Sequence, residues 1–288
     1  METEKFYKKL KEEQEKLYSI DINGKDIPNS ELLIILIRKL AKLYPYKWVE
    51  QNEIIAIDIR SQLFVRFDMA FVHYYQSIVS TLNSTELLWN VTSSQLGYYK
   101  RYTSLNLVFR EVYLRTSFFE KVFFTIDYFI QQMNTFINFY DCDSTHKKQQ
   151  YFKLLLKKLG LENKEIETNG IVDELNQLIY DNNETEIFIK KSNRKIRYYE
   201  VYNYLVALRN VFHNNGFSQK SMNNLNIGGV PIKIVKGKQT RFSQDTLIVV
   251  ILMVMNVLED VVETTFKLYP EKEWIDPYAN DVKMIMDK

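Results

Sequence analysis

The residues best suited to chemistry in this sequence lie in the segment YNYLVALRNVFHNNGF, residues 202–217. Arg209 and His213 are four residues apart, so on a helix they lie on one side, a turn from each other. An imidazole, with an ordinary pKa of about 6.5, can take the proton of a ribose 2′-hydroxyl at neutral pH. A guanidinium can bind two phosphate oxygens and stabilise the charge that develops on them. Together the two side chains could cleave RNA.

Two interpretations of this segment are open. A helical wheel places an apolar stripe on one side of the predicted helix, formed by Val201, Leu205, Leu208 and Phe212. Arg209 and His213 lie on the flank of this stripe with Tyr202 between them, and Asn210 points away from it. In the first interpretation Arg209, His213 and Asn210 form a catalytic site. In the second, His213 only complements the helix dipole and the Asn-Asn-Gly that follows only ends the helix.

Positive charge is concentrated around this helix. Residues 190–241 contain eleven Lys or Arg and one acid, Glu200, a net charge of +10, although the whole chain carries only +2. Such a window favours an anionic partner, above all nucleic acid, and a solvated surface is the alternative. Four aromatic residues among the charges would suit base stacking: Tyr198, Tyr199, Tyr202 and Phe217. The candidate RNA-binding residues are Asn214, Asn215, Tyr202, Lys190, Lys191, Arg194, Lys195, Arg197, Lys233, Lys236, Lys238 and Arg241.

Metal and cofactor chemistry has little support in the sequence. No Asp, Glu and His residues follow a metal-ligand pattern, and the single cysteine, Cys142, excludes an internal disulfide and a Cys-rich zinc site. His73 is expected to pack in a helix, and His146 lies in a polar loop. Glu120 and Asp127 are candidates to orient Arg209 or His213, although pairing elsewhere is the simpler expectation. We therefore expect no cofactor and no metal ion.

The elements that must position these residues are predicted to be helices. The chain has 288 residues but only 8 Gly and 5 Pro, with no proline between Pro45 and Pro231, which favours a mainly α fold. Ser30 is the predicted N-cap of one helix, and Gly160 is the predicted end of another. Apolar periodicity predicts helices over residues 3–18, 31–44, 50–82, 103–140, 149–160, 171–183, 197–213 and 244–269, with a short helix in the connection near residue 90.

The C-terminal part of the chain differs from the rest in its glycine and proline content. Residues 228–243 contain three glycines and a proline and predict a small β-hairpin, with strands near 231–235 and 239–242. The apolar run 246–258 is too short for a membrane span and predicts a buried helix. The charged N-terminus has no signal-peptide pattern, so a cytoplasmic protein without a membrane partner is expected. We expect an N-terminal helical region (1–100), a helical bundle with the hairpin (101–270) and a tail (271–288).

The segment LRNVFHNNG resembles the signature of the HEPN superfamily, helical-bundle proteins of prokaryotic conflict systems. In that signature an arginine is followed by a polar residue and then by a histidine, with four to six residues between the arginine and the histidine. Arg209, Asn210 and His213 fall on the motif, and Asn214 and Asn215 extend it. Here only three residues separate the arginine from the histidine, one fewer than the usual minimum.

The resemblance implies a helical bundle of HEPN type that forms a homodimer, with two copies of the motif helix facing each other across a cleft. It also implies a metal-independent endoribonuclease of a toxin or antiviral defence system, controlled by an antitoxin or sensor protein. Arg209 and His213 would be catalytic, and Asn210 and Asn214 would position the phosphate or the histidine. The alternative is a non-catalytic HEPN-like module that binds RNA, a nucleotide or a partner protein through the same basic surface.

Overall fold

The computed structural model describes residues 5, 8, 12, 18–43, 58–92, 96–138, 148–179, 186–214, 216–240, 242–270 and 274–275. Seven helices account for most of them, which confirms the mainly α fold class. The helices are α1 (Asn29–Leu43), α2 (Ile59–Thr92), α3 (Leu96–Asn138), α4 (Lys148–Lys158), α5 (Thr168–Ile179), α6 (Tyr198–His213) and α7 (Gln244–Leu268). The strands are β1 (Ser19–Ile22), β2 (Lys25–Pro28), β3 (Glu165–Glu167), β4 (Lys195–Arg197), β5 (Leu225–Ile227) and β6 (Val230–Ile232).

The strands form three antiparallel pairs, and each pair lies next to a helix end. β1 pairs with β2 just before α1, β3 with β4 at the starts of α5 and α6, and β5 with β6 between α6 and α7. The β3–β4 pair joins two segments about thirty residues apart in the chain and places Glu165 opposite Arg197 and Glu167 opposite Lys195. The N-terminal end of α6 is therefore held beside an acidic strand.

Helix α7 is the centre of the hydrophobic core. Almost every side chain from Gln244 to Leu258 is buried, and the helix packs against α1, α5, α6 and β6. The predicted buried helix over 246–258 is thus confirmed. The core is continuous from α1 and α2 to α7, on both sides of residue 100. No helix in the described part of the chain is long and apolar enough to cross a membrane.

Helix α6 is held by three neighbours, α3, α4 and α7. Phe212, near its C-terminal end, contacts Phe119 of α3 at a ring-centroid distance of 4.9 Å and Phe242 at 5.9 Å. Tyr202, near the other end, contacts Phe152 of α4 at 4.5 Å. Each contact buries aromatic surface, so the register of α6 against the bundle is fixed at both ends.

Most predicted helices are confirmed, with ends within a few residues of the expected positions. Gly160 has the expected left-handed backbone (φ +70°), and Leu161 N–H donates to the Leu156 carbonyl at 2.8 Å, which ends α4 as predicted. The helix expected over 50–82 begins at Ile59 and continues to Thr92. Residues 19–28, which lie between two predicted helices, form the β1–β2 hairpin.

A hairpin is present near residue 230, but both of its strands lie earlier in the chain than predicted. The strands are 225–227 and 230–232, because Gly228 (φ +65°) and Gly229 (φ +104°) form the turn rather than precede the first strand. Residues 235–240 instead make isolated bridges to residues 217 and 218. Most of the predicted helix over 3–18 lies outside the described residues, and so do Pro45 and the tail after residue 275. Cys142, His146, Asn215 and Arg241 also lie outside them.

Candidate functional site

The motif residues lie at the C-terminal end of α6, where the backbone is closely tied. Asn214 N–H donates to the Asn210 carbonyl at 3.0 Å, and Gly216 N–H donates to the Val211 carbonyl at 2.8 Å. Gly216 has φ +91°, a conformation that side chains rarely adopt, so glycine is needed where the chain leaves the helix. This ending fixes the direction in which the following segment departs.

Arg209 is half-buried and has no acidic partner among the described residues. Its Nη1 donates to the Asn210 side-chain oxygen at 3.3 Å, and its Cζ lies 5.6 Å from the centroid of the Phe123 ring of α3. Its Nε is buried and has no hydrogen-bond acceptor in the described part of the chain. The Asp127 carboxylate accepts a hydrogen bond from Gln131 at 3.0 Å. The guanidinium is thus held in place by an aromatic ring and an amide, and no carboxylate of the described residues compensates its charge.

His213 occupies the last position of α6 and is exposed. It lies one turn after Arg209, which puts the two Cβ atoms about 5–6 Å apart on one side of the helix. No described side chain makes a hydrogen bond with its ring. The arrangement leaves the imidazole open to a ligand that also reaches the guanidinium. Asn210 is half-buried and Asn214 is exposed. His73, by contrast, is an exposed side chain on α2 rather than the packed one expected.

Tyr202 is not a surface residue, and its prediction as an RNA contact is wrong in this structure. Only 2% of its surface is exposed, and its ring packs against Phe152. Burial, together with the nearby Asp127 carboxylate, raises the pKa of its hydroxyl above the ordinary range. The helical wheel placed Tyr202 on the flank of the apolar stripe, but α4 covers that flank at this end of the helix.

The basic window divides into two parts that differ in their partners. At the N-terminal end of α6, three cations face acids: Lys190 is 2.5 Å from Asp173, Lys195 is 3.5 Å from Glu167, and Arg197 is 3.9 Å from Glu165. We call Lys190, Lys195 and Arg197 the paired cluster. The acids come from β3 and α5, outside the sequence window, so counting charges within the window overstated the free positive charge here.

The other part of the window lies at the C-terminal end of α6, next to His213. Residues 216–222 and 234–240 are joined by hydrogen bonds from Thr240 N–H to the Gly216 carbonyl (2.7 Å), Gly237 N–H to the Ser218 carbonyl (2.9 Å) and Met222 N–H to the Ile234 carbonyl (2.9 Å). We call these two segments the basic arm. Its three lysines are exposed and have no acidic partner among the described residues: Lys220, Lys236 and Lys238.

The remaining predicted cations of the described residues belong to neither of these two parts. Lys191 and Lys233 are exposed. Arg194 is exposed and donates to the Asn224 carbonyl at 3.3 Å, which ties it to the segment before β5. The structure therefore brings together Arg209, His213 and the basic arm, and it places the paired cluster at the opposite end of a helix about 24 Å long.

Sequence reasoning missed a buried polar group at the start of α7. The Tyr74 hydroxyl donates to the Gln244 side-chain oxygen at 3.0 Å, and Glu111 lies 3.3 Å from Arg115 on α3. Burial raises the pKa of Glu111 even though Arg115 lowers it, and burial together with Glu111 raises the pKa of Tyr74. The sequence shows only that these polar residues interrupt apolar stretches. It does not reveal that α2, α3 and α7 bring Tyr74, Glu111 and Gln244 together.

No three His, Cys, Asp or Glu side chains in the described part of the chain are grouped so as to hold a metal ion. The chain matches no protein-family model, and no curated protein and no solved structure is significantly similar to it. The chemistry of the site therefore has to be argued from its own residues.

Proposed function

We propose that the protein is a metal-independent endoribonuclease whose active site is Arg209 and His213. One observation carries the proposal: a half-buried guanidinium, with no acidic partner in the described part of the chain, lies one helical turn before an exposed imidazole. A cation that is partly removed from water and has no carboxylate beside it in the described structure lowers the stability of the fold, and a phosphate is the ligand that best compensates it. The three lysines of the basic arm, which have no acidic partner within the described ranges, add attraction for the rest of a nucleic-acid backbone.

The reaction follows from the positions of the two groups. His213 accepts the proton of a ribose 2′-hydroxyl, and the 2′-oxygen attacks the adjacent phosphorus. Arg209 donates to the phosphoryl oxygens as their charge increases. The bond between phosphorus and the 5′-oxygen then breaks, and the leaving oxygen takes up a proton. The products are a 2′,3′-cyclic phosphate and a 5′-hydroxyl, with no change in oxidation state.

Asn210 has a supporting role in this mechanism. Its side-chain oxygen accepts a hydrogen bond from Arg209, which limits the rotation of the guanidinium. A preorganised donor loses less entropy when it binds the transition state. Asn214, exposed beside His213, can donate to the same phosphate.

Cleavage of a labelled single-stranded RNA by the purified protein in the presence of EDTA tests the proposal. We expect products that end in a 2′,3′-cyclic phosphate, a loss of about 10²–10⁴-fold in rate for His213→Ala and of about 10²–10³-fold for Arg209→Lys. Lys195→Ala, in the paired cluster, is the matched control and should leave the rate unchanged. Wild-type protein that leaves varied RNAs intact, or cleavage that survives His213→Ala, would contradict the proposal.

A second candidate function is supported by the surroundings of His213. Catalytic histidines are commonly oriented by a partner at the second ring nitrogen, and no described residue fills that role here. The alternative is a non-catalytic module that binds RNA through Arg209 and the basic arm. In that case RNA binds and is not cut, His213→Ala binds as well as wild type, and Arg209→Met weakens binding.

We further propose that the protein works as a homodimer of HEPN type, as an effector of a defence or toxin system. A second copy of α6 would bring its own His213 to the cleft, so that one imidazole acts as base and the other as acid. The support is the exposure of His213, which leaves room for such a partner. Sedimentation of the wild-type protein tests this, and a dimer is expected. Excess His213→Ala protein mixed with wild type should reduce cleavage below that of the wild-type protein alone, because each mixed dimer has only one imidazole in the cleft; unchanged cleavage would contradict a shared site.

A further inference from the structure

Four of the aromatic residues in the basic window were predicted to suit base stacking, and the structure separates one of them from the other three. Tyr198 and Tyr202 are buried, with 4% and 2% of their surfaces exposed, and Tyr199 is packed against the core. The Tyr198 hydroxyl also donates to Asp260 of α7. Phe217 is 48% exposed. Among these aromatics Phe217 is therefore the one whose ring face is open to a ligand.

The position of Phe217 is fixed although its side chain is exposed. Its N–H donates to the Asn214 carbonyl at 3.0 Å, and it forms an antiparallel bridge with Gln239. These contacts attach it to the turn that follows His213 and to the second segment of the basic arm. Single exposed apolar side chains are common on protein surfaces, so what distinguishes Phe217 is its fixed backbone together with the lysines beside it. A ligand with an aromatic face would cover it.

The charges around Phe217 indicate what that ligand is. Lys236 lies opposite Ser218 in a bridge, Lys238 precedes Gln239, and Lys220 follows on the same segment. Unpaired lysines around an exposed ring are the combination that proteins use to bind single-stranded nucleic acid: the cations follow the backbone and the ring stacks on a base. In a duplex, the bases are already stacked on each other and are not available to the ring.

We propose that Phe217 stacks on an unpaired base next to the phosphate held by Arg209, so that the protein selects single-stranded over double-stranded RNA. The inference rests on the proposed function, since it uses the same phosphate site. It adds the substrate class and a residue that recognises it. Phe217 is a binding residue in this scheme and takes no part in proton transfer.

The test measures binding of a labelled single-stranded RNA of about twelve nucleotides, within the usual site size, by fluorescence anisotropy. All proteins carry His213→Ala to prevent cleavage. Phe217→Ala and Phe217→Leu should each weaken binding about tenfold, and Phe217→Trp should retain it, because stacking needs an aromatic face. Tyr199→Ala, at the opposite end of α6, is the matched control and should bind normally. A duplex of the same sequence should bind more weakly and respond little to Phe217→Ala.

The outcomes separate this inference from the function on which it rests. Lys236→Gln with Lys238→Gln should weaken binding and reduce its dependence on salt, because two phosphate contacts are lost. If these lysine variants lose affinity while Phe217→Ala and Phe217→Leu do not, the stacking inference is wrong and RNA binding by the arm stands. Equal binding of duplex and single strand also overturns it. If the protein binds no RNA at all, both the inference and the proposed function fail.

Discussion

Replacing Arg209 with methionine should remove RNA cleavage without destabilising the protein. Methionine has a similar length, can keep the contact with the Phe123 ring and carries no charge. A residue that the fold needs is destabilising to remove, whereas a residue kept for a ligand is often neutral or stabilising to remove. Arg209→Met therefore distinguishes a binding role from a structural one within a single variant.

The magnitude follows from the contacts of the guanidinium. Its buried Nε lacks an acceptor among the described residues, which costs about 1–3 kcal/mol. Against this stand a hydrogen bond of 3.3 Å to Asn210, worth about 1 kcal/mol, and the contact at 5.6 Å with Phe123, worth about 0.5–1 kcal/mol. The two sides nearly cancel. We expect the free energy of unfolding to stay the same or to rise by about 1 kcal/mol.

Urea denaturation followed by far-UV circular dichroism measures this change, and Arg60→Met is the matched control. Arg60 is buried and pairs with Asp58 through Nε–Oδ1 (2.9 Å) and Nη2–Oδ2 (2.5 Å). Its loss leaves a buried carboxylate unpaired and should cost about 3–5 kcal/mol. A loss of about 3 kcal/mol or more for Arg209→Met would refute the reasoning, because it would mean that Arg209 has a buried acidic partner and is part of the structure.

The remaining predictions concern Lys39, which is buried on α1 between Glu174 (2.8 Å) and Glu259 (2.9 Å). Lys39→Met leaves two carboxylates without their cation and should lower the free energy of unfolding by about 3 kcal/mol. Urea denaturation would measure this change, and an unchanged free energy would show that the ion pairs of Lys39 with Glu174 and Glu259 are not formed. Burial alone lowers the pKa of Lys39, but the two carboxylates more than reverse this, so that the pKa is raised. The stabilisation by Lys39 is therefore fully present below its unfolded pKa of about 10.4 and is lost as pH rises through the folded pKa. The stability difference between wild type and Lys39→Met should shrink only above that pH, and a difference that shrinks at neutral pH would contradict this.

The helices could be predicted because their signals are local. Apolar residues recur at helical spacing, proline is absent from the middle of the chain, and the glycine at Gly160 ends α4 where expected. The β1–β2 hairpin also has a local signal in the sequence, the Asn23-Gly24 pair at its turn. Asn23 and Gly24 both have positive φ, as in the two-residue turns that Asn-Gly favours. The β3–β4 pair has no such signal, because its strands are far apart in the sequence.

For the site, the sequence predicted the motif but not its surroundings. The spacing of Arg209 and His213 and the helix that carries them follow from local pattern. The acids that pair with Lys190 and Lys195 come from elements outside the window, and the burial of Tyr202 depends on where α4 packs. These contacts depend on tertiary structure, so counting charges along the chain treated the basic window as one surface, whereas the structure divides it into two parts.

The central claim is that Arg209 and His213 bind one phosphodiester, and side-chain NMR tests it most directly. The chain has only 3 histidines, so the ring signals of His213 can be assigned with His213→Gln, and the Nε–Hε signal of Arg209 with Arg209→Lys. Titration with a 2′-O-methyl single-stranded RNA, which cannot be cleaved, should shift both signals with one dissociation constant and leave His73 unmoved. RNA that binds without moving both signals together, or that does not bind, would contradict the claim.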